Sequence, residues 1–79
     1  MFKTVDKSQR VVVGTREDGA KIIYIGNNKN IPNFMVVDDD KEDIPEEVER
    51  GLTIDQILKF AQPDDWNLDD EAIEKLQKN

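Results

Sequence analysis

The spacing of hydrophobic positions changes once along the chain, near its middle. Up to residue 37 the apolar residues come in short runs rich in Val and Ile, which suit a pleated surface. "FKTV" (2–5), "RVVVGT" (10–15) and "KIIYIG" (21–26) predict three strands, and "DKSQ" (6–9) predicts the turn after the first. Within "REDGAK" (16–21), Asp18-Gly19 predicts a two-residue type I′ hairpin, in which both central residues need positive φ. The three segments are expected to form an antiparallel meander. Gly14 interrupts a strand pattern, the mark of a bulge or of close packing.

"GNNKNIPN" (26–33) reads as a loop, because asparagine accepts left-handed backbone and Pro32 has no N–H to give to a ladder. Its "GNNKN" part reads first as a polar loop, and second as a place where backbone N–H groups and Lys29 meet an anion. "FMVV" (34–37) predicts a fourth strand.

Past residue 44 the period becomes helical. "PEEVER" (45–50) predicts a short helix, with Pro45 in its first turn and Gly51 as its stop. "TIDQ" (53–56) has the form of a capping box, and Ile54, Ile57, Leu58 and Ala61 follow as one apolar stripe that ends at Pro63. A last helix is predicted from about Leu68, with Leu68, Ala72, Ile73 and Leu76 on one face. Asp69, Asp70 and Glu71 lie in its first turn and Lys75 and Lys78 in its last, matching the helix dipole. The expected fold is a single α+β domain over residues 1–79. It has a three- to four-stranded antiparallel meander followed by two to three short helices on one face.

Charge changes this picture. Residues 1–37 carry six Lys/Arg and three Asp/Glu, net +3; residues 38–79 carry five and fifteen, net −10. A mildly basic sheet is thus joined to a strongly acidic helical part, an asymmetry that accompanies charged partners or contact between like subunits.

Composition removes most chemistry. There is no Cys and no His, so thiolate nucleophiles, disulfides, the Ser-His-Asp arrangement and the commonest metal ligands are all absent. Ser8 is the only serine, with no base beside it. Gly14, Gly19 and Gly26 form no phosphate-cradling motif. The expectation is a protein that is not an enzyme and uses no cofactor. No apolar run reaches the roughly 18 residues of a membrane span, and "MFKTVDKSQR" lacks the apolar core of a signal peptide. Freedom from cysteine fits the cytoplasm. Direct nucleic-acid binding would have to use Lys3, Lys7, Arg10, Arg16, Lys21 and Lys29. These are diluted by Asp6, Glu17 and Asp18 and opposed by the acidic half, so none is expected.

The acids themselves remain. Asp38, Asp39, Asp40, Glu42, Asp43, Glu46, Glu47 and Glu49 form one cluster; Asp64, Asp65, Asp69, Asp70, Glu71 and Glu74 form another. Read as a calcium loop, residues 38–49 place Asp38, Asp40, Glu42 and Glu49 at ligand positions. Asp43 stands where the loop needs glycine and Pro45 follows two residues on, so no ordered metal site is expected. Read as a surface, dense like charge is a solvated face, or a face that a basic partner neutralises and is steered to.

The expected binding residues are Asp38, Asp39, Asp40, Glu42, Asp43, Glu46, Glu47, Asp64, Asp65, Trp66, Asp69 and Asp70. Trp66 has two roles open to it, a core residue or an interface anchor ringed by acids. The expected function is inhibition or regulation of a basic partner that handles nucleic acid. Inhibitors that mimic nucleic acid, many of them encoded by viruses, are domains of this kind. The alternative is an assembly protein that associates with itself through a sheet edge or basic-to-acidic contacts. Convergence of the two acidic clusters on one face separates the readings.

Overall fold

A computed structural model describes residues 2–38, 47–60 and 65–77. In chain order the elements are β1 (Phe2–Lys3), a 3₁₀ turn (Lys7–Gln9), β2 (Val11–Arg16), β3 (Lys21–Asn28), β4 (Ile31–Val37), β5 (Glu47–Val48), α1 (Ile54–Phe60), β6 (Trp66–Leu68) and α2 (Asp70–Gln77). The main sheet is antiparallel with order β4-β3-β2-β6, and β1 pairs with β5 in a second, two-stranded sheet. This is the expected α+β class, with two helices.

The core forms where the sheet's alternation meets the helices' stripes. Ile22 and Tyr24 of β3 share a face with Phe34 of β4, whose ring meets Tyr24 edge-on at 5.9 Å. Val13, Ala20, Ile22, Phe34, Ile54, Ile57 and Trp66 make one buried cluster, and Leu58, Ala72, Ile73 and Leu76 pack against it from the helices. The capping box forms as its sequence requires: Thr53 N–H donates to Gln56 Oε1 at 2.9 Å, and Gln56 N–H to Thr53 Oγ1 at 3.2 Å.

Gly14 carries both meanings its position suggested. The β2–β3 register shifts between Val12 and Gly14, and a Cβ at Gly14 would stand 2.9 Å from Leu68 Cδ2. The small residue lets β6 close onto β2.

Several expectations are corrected. The first strand does not join the meander. It pairs with β5, Phe2 opposite Val48, and only Val5 N–H reaches the main sheet, donating to Ile25 C=O at 2.9 Å. Glu47–Val48 is strand and not helix, because pairing with β1 buries Val48 and outweighs the helix propensity of the glutamates. Residues 45–46 lie outside the described residues, as do Ala61, Pro63 and Lys78.

The stretch 26–33 is not a loop. β3 runs to Asn28 and β4 starts at Ile31, joined by the two-residue turn Lys29-Asn30 with φ of 53° and 68°. Those angles belong to a type I′ turn, and Pro32 is tolerated because β4 is an edge strand. The hairpin at Asp18-Gly19 exists but turns differently. Gly19 N–H closes a turn on Arg16 C=O at 3.0 Å, Asp18 keeps negative φ, and Gly19 alone is left-handed at φ 96°. Trp66–Leu68 is a strand with a period-two burial pattern, so the last helix begins later, at Asp70.

Candidate functional site

The antiparallel order brings four chain positions to one end of the main sheet. β2 ends there at Arg16, β3 begins at Lys21, β4 ends at Val37, and β6 begins at Trp66. The registers Thr15 to Lys21, Lys21 to Val37 and Arg16 to Trp66 hold these residues in one row. The acids at this end follow from that row. Glu17 and Asp18 are in the β2–β3 turn, Asp38 leaves β4, and Asp65 enters β6; all four are exposed.

Arg16 organises the row. Its Nε donates to Asp18 Oδ1 at 2.9 Å and its Nη2 to Asp18 Oδ2 at 2.7 Å, a two-pronged ion pair. Asp18 Oδ1 also accepts the Ala20 N–H at 3.0 Å, which secures the turn. On its other side the guanidinium lies over the Trp66 ring, 5.0 Å from the centroid.

The electrostatics report the same geometry. The Arg16 hydrogen bonds, with the Ala20 N–H, hold the Asp18 carboxyl down at about 2. Arg16 is itself raised, first by its hydrogen bond to Asp18 and further by the charges of Asp18, Asp38 and Asp65. Asp38 belongs to the first acidic cluster and Asp65 to the second, so one guanidinium feels both. Arg16, Glu17, Asp18 and Asp65 also line an open cavity of about 330 Å³. With Arg16 committed to Asp18, Glu17, Asp38 and Asp65 face solvent with Lys21 as the nearby cation.

Of the residues expected to bind a partner, Asp38 and Asp65 come together here. Trp66 is in the buried core cluster at 7% exposure, the first of its two roles, and its Nε1 has no acceptor among the described residues. Asp69 is turned to structure. Its Oδ1 accepts the Ala72 N–H at 3.1 Å and its C=O the Ile73 N–H at 3.1 Å, so it caps α2. Asp70 is exposed in the first turn of α2. β6 separates both from Asp65 by its three residues, about 10 Å of strand. Glu47 lies in β5, away from this row. Asp39, Asp40, Glu42, Asp43, Glu46 and Asp64 lie outside the described residues.

Sequence reasoning missed Glu17 and Asp18, which it counted only as diluting the basic half. The signal was their place in a turn ending β2. What gave that place meaning was the pairing of β2 with β6, which no local pattern announces. Among the described residues no group of three or more acids is arranged to hold a metal ion. Comparison of the chain with known protein families, curated proteins and solved structures finds no match.

Proposed function

We propose that this protein is a non-enzymatic binding domain that inhibits or regulates a basic, nucleic-acid-handling partner through the acidic end of its main sheet. The observation that carries the reading is the shared action of Asp38 and Asp65 on Arg16, which draws the two acidic segments to one place. Glu17 and Asp18 add to it from the turn between them. Carboxylates held on a strand framework present fixed negative charge, the feature by which a phosphate backbone is recognised in a basic groove. A cysteine-free, strongly acidic chain suits the cytoplasm, where such partners work.

A second reading has its own observation. Lys29 and Arg50 lie together at the opposite end of β3, so the molecule has an acidic and a basic pole. The eight residues of β3 put these poles about 26 Å apart. That is about three Debye lengths at physiological salt, so each acts independently. Head-to-tail contact of acidic pole on basic pole would assemble copies of this chain into an open row.

The test uses the native protein and a Glu17→Gln/Asp38→Asn/Asp65→Asn variant as paired baits in a cell extract. Asp18 is kept because it holds the turn. The proposal expects a basic protein retained by the native bait, released by salt and missed by the variant. Equal retention by both baits refutes it. Sedimentation of the native protein alone decides the second reading, which expects mass to grow with concentration and shrink with salt.

A further inference from the structure

The basic pole holds a cavity of about 280 Å³ between the β3–β4 hairpin and the segment leading into α1. Its described lining is Asn28, Lys29, Ile31 and Asn33 from the hairpin, and Arg50, Gly51, Thr53 and Gln56 from the other side. Two of these are cations, and none of the described lining residues is an acid. On a chain of net charge −7 that is a local inversion of sign. The far wall is stiff, because Thr53 and Gln56 are locked together by the capping box.

Asn33 makes the cavity more than a gap between two cations. It is 3% exposed, one of the few buried polar residues, and its Oδ1 has no donor among the described residues. A buried amide oxygen without a donor is costly in a folded protein, and such a group calls for an explanation. It sits on β4 opposite Gly26, at a register shift of the ladder, so its side chain is not replaceable by sliding the strand. Lys29 is held at φ 53°, where a lysine is disfavoured and asparagine or glycine would be at ease.

We propose that this cavity binds the C-terminal end of a peptide. The terminal carboxylate lies between Lys29 and Arg50, and the amide N–H of the last residue donates to Asn33 Oδ1. Each element of the lining has a counterpart in that one group: two cations for one anion, and a buried acceptor for the donor beside it. Inorganic phosphate supplies the anion but, ionised, offers Asn33 mainly acceptors. A free amino acid supplies both, but its ammonium group would face Lys29 and Arg50 with no acid in the described lining to balance it. The site is independent of the acidic pole, and its failure would leave that reading untouched.

The test is titration of the full-length protein with N-acetylalanine, followed by backbone and asparagine side-chain amide resonances. N-acetylalanine amide, acetate, alanine and inorganic phosphate serve as comparisons. The expected result is saturable shifts confined to residues 28–33 and 50–56 with N-acetylalanine, and weaker binding by alanine and by acetate. Arg50→Gln and Lys29→Gln change exposed residues, so they should leave the fold intact and weaken binding about tenfold each. N-acetylalanine amide, which lacks the carboxylate, should not bind. The proposal is overturned if N-acetylalanine causes no saturable shift. It is overturned equally if phosphate alone binds, or if the Arg50 and Lys29 variants bind as the native protein does.

Discussion

Arg16 and Trp66 face each other across the β2–β6 ladder, with the guanidinium 5.0 Å from the centre of the indole ring. The pair joins the outermost strand of the sheet to the turn that begins β3, because the same guanidinium forks onto Asp18. Trp66 meanwhile reaches into the core with Val13, Ile22 and Phe34. One side chain therefore connects the hydrophobic interior to the acidic rim.

Asp18 should be the most acidic of the four rim carboxylates. Its pKa lies at about 2, below the ordinary 3.8, first because of the Arg16 hydrogen bonds and then because of the Ala20 N–H. A depressed carboxylate stabilises the fold fully above its ordinary pKa. That contribution fades as pH falls from about 4 to about 2. Arg16→Gln should move the titration of Asp18 back up toward 3.8, read from the carboxyl carbon shift. An unchanged midpoint would mean that Arg16 does not govern it.

Asp69 and Asp70 are neighbours with opposite roles. Asp69→Ala should cost about 1 kcal/mol in denaturant unfolding, because the α2 cap is lost, and Asp69→Asn should cost little. Asp70→Asn, at an exposed position, should change stability by less than about 0.5 kcal/mol. Equal losses at the two positions would contradict the cap.

Ile57 and Phe60 lie one turn apart on α1, at 1% and 84% exposure. Ile57→Ala should destabilise by roughly 2–5 kcal/mol, from lost burial and the cavity left behind. Phe60→Ala should change stability by no more than about 0.5 kcal/mol. Urea midpoints of the two variants check this, and a large loss for Phe60→Ala would show a contact that its exposure denies.

The Lys29-Asn30 turn should be improvable. Type I′ turns favour asparagine followed by glycine, so Lys29→Asn with Asn30→Gly should raise stability by about 1 kcal/mol. A fall in the thermal midpoint would show that the hairpin does not have these angles.

The helical stripe of Ile54, Ile57 and Leu58 and the Thr53–Gln56 box were legible in the sequence because each is local: the side chains and the backbone groups they bond lie within one turn. The strands of the meander were legible for the same reason. What stayed hidden was non-local. Nothing in "FKTV" names Val48 as the partner of Phe2, and "WNL" is too short to show a period before its pairing with β2 is known. The turns were misread where two chemistries compete. Asp18-Gly19 has the signature of a type I′ turn but spends Asp18 on Arg16 and Ala20, while Lys29-Asn30 has a weaker signature and forms one. The acidic character of the site was plain from composition. Its location was not, because the row of Glu17, Asp18, Asp38 and Asp65 exists only once three strands are aligned.

The central claim is that this row of acids forms the face that meets a basic partner. It is tested most directly by the association rate of the partner retained on the native bait. The rate is measured at low and at physiological salt for the native protein and for Glu17→Gln/Asp38→Asn/Asp65→Asn. Attraction between charged faces is screened beyond about 8 Å at physiological ionic strength. The native rate should therefore fall steeply with salt, more than the dissociation rate rises, and the variant should start low and respond less. A native association rate that is indifferent to salt, or a variant that associates as fast as the native protein, would contradict the account.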